Sequence, residues 1–107
     1  MKDTIKVLYK APNEALTEMD VANDLETFQG LVKGYIEVVP LSDEVLMVVN
    51  EEGAINGMDF NFLCPSADSI IYGPAVFVGE DGEDFGDCPV DKSGLWLLVA
   101  KGLNIGR

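Results

Sequence analysis

The sequence predicts an α+β fold, a small mixed and largely antiparallel sheet with one main helix packed on one face. The first sign is residues 34–57, where two aliphatic, β-branched runs, 35–39 and 45–49, flank the polar break Pro40-Leu41-Ser42-Asp43-Glu44. Short apolar runs bounded by turn residues read as paired strands, so this stretch is expected to form the hairpin around which the chain is organised. The second sign is residues 23–33, where Leu25, Phe28, Leu31 and Val32 fall at spacings of three and four and gather on one side of a helix. A length of 107 residues suits a single domain, 1–107, with one modest core.

Taken in order, residues 4–9 alternate around Ile5, Val7 and Tyr9 and read as an opening strand. Lys10 to Glu14 is a turn, punctuated by Pro12 and Asn13. Residues 15–21 suit a second strand, with Leu16, Met19 and Val21 loosely periodic. Asn23 stands as the helix cap, Glu26 completes a capping box, and Gly34 supplies the left-handed residue that ends the helix. Gly30 weakens the final turns by about 1 kcal/mol relative to Ala, which a close approach to a strand would explain. The predicted core sets Val39, Val45, Met47 and Val49 against Leu25, Phe28, Leu31 and Val32.

Beyond the hairpin, residues 54–66 read as an ordered loop with one short helical turn. Asn56-Gly57 is a turn dipeptide, and Pro65 discourages helix before it. Residues 70–78 form a strand interrupted at Gly73-Pro74. Residues 79–87, dense in Asp, Glu and Gly, read as a solvated acidic loop. The apolar run 95–100 suits either a buried helix or a strand, which periodicity does not separate.

Charge narrows the function classes. The net charge is −12, and no Lys or Arg occurs from Gly34 through Asp91. Phosphate backbones are normally neutralised by Lys and Arg, so direct nucleic-acid binding is not expected. Such a surface either keeps the protein soluble or faces a basic partner. No apolar run reaches membrane-spanning length, and the first ten residues hold no signal-peptide apolar region, which together predict a cytoplasmic protein. Cys64 and Cys88 lack CxxC spacing and are expected to be free structural thiols.

Chemistry is constrained by what is missing. Without histidine, Ser-His-Asp and Cys-His activation are closed to a single chain, and zinc loses its commonest nitrogen ligand. No phosphate-cradling glycine motif occurs. Glu51 and Glu52 are adjacent carboxylates, but neighbouring strand residues point to opposite faces. No catalytic residue, metal site or cofactor is expected, and the chain is not read as an enzyme. The 80–87 segment has oxygen ligands but fails the calcium-loop spacing.

Two residue sets remain. Asn50, Glu51, Glu52, Asn56 and Asn61 form the candidate ligand-binding set, because amides that both donate and accept can read a base or a sugar. The same asparagines serve equally well as turn and cap residues. Glu80, Asp81, Glu83, Asp84 and Asp87 form the candidate partner-binding set.

The runs Leu31-Val32-Lys33-Gly34-Tyr35-Ile36-Glu37, Asn50-Glu51-Glu52-Gly53, Asn56-Gly57 with Asn61, and residues 70–79 resemble a small uncharacterised bacterial and phage family, the domain of unknown function 3846 type. The resemblance covers most of residues 25–79. It implies a mobile-element or accessory setting and supplies neither an activity nor catalytic residues. It also implies a charged helical tail after Cys88, from which this chain departs.

The function expected is that of a non-enzymatic acidic accessory domain acting on a protein with a basic surface. DNA mimicry, with carboxylates occupying a basic DNA-binding cleft, is one form of it. The alternative is a nucleotide-like ligand held by residues 50–61.

Overall fold

The computed structural model describes residues 3–100. Alternating apolar residues build β1 (Thr4–Lys10) and β2 (Thr17–Ala22), and short apolar runs build β3 (Ile36–Pro40) and β4 (Val45–Asn50). Further on come β5 (Phe60–Cys64), β6 (Ser69–Tyr72), β7 (Ala75–Asp81) and β8 (Asp84–Gly86). The helices are α1 (Leu25–Val32) and α2 (Lys92–Ala100). The main sheet runs in the order β2-β1-β7-β4-β3, with β8 added to β7, while β5 and β6 form a separate ribbon. Every pairing is antiparallel, and helices cover the sheet, so the fold is α+β.

The centre of the sheet is β7, not the β3–β4 hairpin. Phe77 pairs with Leu8 on one side and Met47 on the other. The run Ala75-Val76-Phe77-Val78 is apolar at successive positions and buried throughout, as a strand covered on both faces requires. The hairpin is real, with Val39 opposite Met47, but its β3 strand forms the sheet edge.

Both faces are apolar, and each has its own cover. Phe28 and Val32 of α1 pack on Ile5, Val7, Val48, Val76 and Val78. On the opposite face Phe62, Cys64 and Ile71 of the ribbon, with Leu95 and Val99 of α2, cover Leu8, Met47, Val49 and Phe77. The expected partnership of Val39, Val45, Met47 and Val49 with α1 is therefore wrong by one strand position. Those side chains point at the ribbon and α2, and Val48 meets α1. Leu25 is 57% exposed rather than core.

Asp24, not Asn23, caps α1. Its φ of −141° and ψ of 158° are extended, and its carboxylate accepts from the Thr27 N–H at 2.8 Å. Asn23 instead donates through Nδ2 to the Phe85 carbonyl at 3.0 Å. The left-handed residue after α1 is Lys33, at φ 66°, and the Gly34 N–H reaches back to the Gln29 carbonyl at 3.0 Å. Gly34 matters for space, since a Cβ there would sit 2.7 Å from Asn50 Nδ2. Gly30 has open space around it, so no strand approach explains it.

The loop expected at 54–66 contains strand β5, paired with β6 after a 3₁₀ turn at Pro65–Ala67. The interrupted strand at 70–78 is two strands in different sheets, with Gly73 at φ 82° between them. The apolar run 95–100 is helical. Asp91 starts α2 by accepting the Gly94 N–H at 2.8 Å, and Trp96 meets Phe62 edge-on at 5.7 Å. Cys64 and Cys88 are buried free thiols. No helix among the described residues is long and apolar enough to cross a membrane.

Candidate functional site

The asparagine-rich set divides into an inner and an outer part. Asn50 ends β4 and is buried, with Nδ2 donating to the Val32 carbonyl at 3.0 Å and Oδ1 accepting from the Glu52 N–H at 2.8 Å. Asn61 is buried in β5. Its amide nitrogen donates to the carbonyls of Lys10 at 2.9 Å and Gly73 at 2.8 Å, and its oxygen accepts from Lys10 Nζ at 2.7 Å. Both amide hydrogens of Asn61 are thereby used inside the fold. Glu51, Glu52 and Asn56 lie exposed on the connection between β4 and β5, where the Asn56 N–H bonds the Glu52 carbonyl at 2.8 Å. Asn50 and Asn61 tie elements together; of the other three, Glu51 lines one cleft with Asn50, while Glu52 and Asn56 line neither that cleft nor a common one with Asn61.

Two clefts adjoin these residues. One of about 170 Å³ lies between β3–β4 and β6, lined by Glu37, Val39, Glu51, Ser69, Ile70 and Tyr72 among others. A broader one, of about 410 Å³, brings Tyr9, Glu14, Lys33, Met58 and Asp59 together. Burial raises the Tyr9 hydroxyl above its ordinary pKa, and the Glu14 carboxylate adds to the rise.

The acidic segment 79–87 is a hairpin rather than an open loop. Asp81 pairs with Asp84, leaving Gly82 and Glu83 as a two-residue turn. Gly82 has φ 63°, the conformation that type II′ hairpins place at their first turn residue. Glu80, Asp81, Glu83 and Asp84 are all exposed. Asp87 is half-buried, and its Oδ1 accepts the Lys6 N–H at 2.8 Å, so it anchors the hairpin to β1.

Beside this hairpin is a cleft of about 260 Å³ with an apolar floor of Phe28, Ile36 and Phe85 and a rim of Asp24, Glu83 and Asp84. Phe28 and Phe85 meet edge to face with ring centres 5.1 Å apart. Hydrogen bonds from the Thr27 side chain and then its backbone N–H hold the Asp24 carboxyl below the usual range. Carboxylates above an aromatic floor suit a long basic side chain, whose stem packs while its head pairs. Sequence inspection missed Asp24 and Phe85 as members of this site. The available signal was Phe85 itself, the one aromatic inside the acidic run 79–87. Among the described residues, no group of three or more His, Cys, Asp or Glu side chains is placed to hold a metal ion.

No curated protein and no solved structure matches the chain. A family model described as a domain of unknown function (DUF3846) matches residues 5–96. That span includes the ribbon, α1 and all of the main sheet except Thr4. The chain belongs to the DUF3846 family.

Proposed function

We propose that the protein is an acidic, non-enzymatic interaction domain of the cytoplasm that binds a basic surface of another protein through the β7–β8 hairpin and the cleft beside it. The observation that carries this reading is that Glu83 and Asp84 share a cleft with Asp24, Phe28 and Phe85. Charge alone would favour solubility and fast encounter, whereas an apolar floor under the carboxylates adds a place for a partner to be held. The absence of Lys and Arg from Gly34 through Asp91 leaves this part of the chain without basic side chains of its own. DNA mimicry is the narrower form of the same proposal, and an accessory role in a mobile element is the setting the family resemblance suggests.

A nucleotide-like ligand at residues 50–61 is the weaker reading, because the amides of Asn50 and Asn61 are already bonded within the fold. The deciding experiment is affinity capture from cell lysate at low and high salt. It compares the wild type with the combined variant Glu80→Gln, Asp81→Asn, Glu83→Gln and Asp84→Asn. The Debye length falls from about 10 Å at 0.1 M salt to about 3 Å at 1 M, so a partner steered by charge should be lost at high salt. The combined variant should lose it at low salt while melting as the wild type does. A partner retained at high salt and by that variant would sink the proposal.

A further inference from the structure

We propose that the free edge of β3 takes up an extended, basic segment of another protein as an added strand, with one Lys or Arg side chain seated in the cleft between β3 and the β5–β6 ribbon. This is a second site on the other side of β3 from the cleft beside the acidic hairpin, the two having Ile36 in common.

The hydrogen-bond phase of β3 supports it. Glu51 N–H bonds the Tyr35 carbonyl at 2.9 Å, and Leu41 N–H bonds the Val45 carbonyl at 2.9 Å. In an antiparallel pair such bonded positions alternate with unbonded ones. Glu37 and Val39 therefore turn their backbone groups toward β4, while Ile36 and Val38 turn theirs outward. No strand among the described residues lies beyond β3. The side chains next to that edge are open as well, with Tyr35 71% and Val38 41% exposed. Open edges of this kind are templates for strand addition. The opposite edge, β2, differs. The Asn23 N–H bonds the Asp3 carbonyl at 2.8 Å, so the outward positions there are Glu18, Asp20 and Ala22. Charged side chains at outward positions are a common protection of sheet edges.

Chemistry selects the occupant. Glu37, Val39 and Glu51 share the face of the hairpin turned toward the ribbon, and with Ile70 they line the cleft of about 170 Å³. An aliphatic stem fits against Val39 and Ile70, and a cationic head meets Glu37 and Glu51. A second copy of this chain would bring another net charge of −12 to the same edge, which opposes self-pairing. A basic segment of another protein brings the complementary charge.

The test uses the full chain and three synthetic eight-residue peptides, with backbone amides followed by NMR. The first alternates Lys and Val, the second is the same peptide N-methylated at every Val, whose N–H faces β3 when Lys lies on the Glu37 face of an antiparallel pairing, and the third alternates Glu and Val. The Lys–Val peptide should bind, shift the Ile36 and Val38 amides and slow their exchange. N-methylation should weaken binding about tenfold or more, as expected from lost hydrogen bonds, and the Glu–Val peptide should not bind. Val38→Pro should weaken the Lys–Val peptide similarly, and Glu37→Lys should do the same without touching the edge donors. Equal binding of the methylated peptide, or no binding of the Lys–Val peptide, overturns the proposal, and both arms need only wild-type protein. So does a dimer in sedimentation equilibrium whose Ile36 and Val38 amides are already protected. If the combined hairpin variant Glu80→Gln, Asp81→Asn, Glu83→Gln and Asp84→Asn loses the peptide and Val38→Pro keeps it, the peptide sits on the hairpin and the β3 site fails alone.

Discussion

Asn50 joins the end of β4 to the end of α1, its side-chain nitrogen lying 3.0 Å from the Val32 carbonyl. That carbonyl belongs to the last helical turn, where four carbonyls lack partners within a helix. The same amide accepts the Glu52 N–H, so a single side chain closes a helix end and starts the following turn.

Asn50→Leu should therefore destabilise the protein by about 1–3 kcal/mol, because buried partners are left unsatisfied. Asn50→Asp should do the same by replacing the donor with an acceptor facing a carbonyl. Gly34→Ala should act on the same bond from the other side, since its Cβ would crowd Nδ2. Urea melts check all three, and a wild-type midpoint for Asn50→Leu would refute the structural role.

Asn61 bridges three segments that are distant in sequence: the end of β1, strand β5 and the β6–β7 connection. Asn61→Leu should lower stability by about 2 kcal/mol or more, since two carbonyls and the Lys10 ammonium lose partners together. Asn61→Asp keeps the acceptor for Lys10 and loses both donors, so it should fall between wild type and Asn61→Leu. The order of the three urea midpoints is the measurement.

These asparagines also show where sequence reading stops. Alternation was enough to locate β1, apolar runs bounded by turn residues located β3 and β4, and the three-four spacing located α1, because those signals are local. Which layer covers which face was not legible. Val48 and Met47 are equally apolar, and only the positions of α1 and the ribbon tell them apart. Strand β5 was hidden because Asn61, a turn-forming residue by propensity, is drawn into the core by Lys10 and Gly73. The acidic run was legible as charge but not as a hairpin, since its pairing depends on β7. The cleft beside it depends on Phe28 meeting Phe85 across 57 positions.

That aromatic pair gives a contrast within one helix. Phe28 is buried against Phe85 and the α1-side core, so Phe28→Ala should cost about 3 kcal/mol or more. Leu25, on the same helix and apolar in the same pattern, is largely exposed, and Leu25→Ala should change stability by about 0.5 kcal/mol or less. Comparable losses for the two substitutions in denaturant melts would show that α1 packs on a different face.

Cys88 should make the protein sensitive to alkali. Its thiol is buried, with Sγ directed at the Val90 carbonyl, and burial is the main cause of a pKa above the ordinary thiol value. Below that ordinary value, about 8.5, the thiol is neutral in both folded and unfolded chains and imposes no pH dependence. As pH rises through it, the unfolded chain ionises first, so stability falls until the folded thiol also ionises. Tyr9, whose pKa is also raised, adds a loss of the same sign at higher pH. The wild type should therefore lose more stability than Cys88→Ala between pH 7 and pH 9.5 in urea melts. Both buried thiols should resist Ellman's reagent in the native state and react once the chain is unfolded. Fast native labelling of Cys88, or a wild-type stability that falls no faster with pH than that of Cys88→Ala, would place this thiol at the surface.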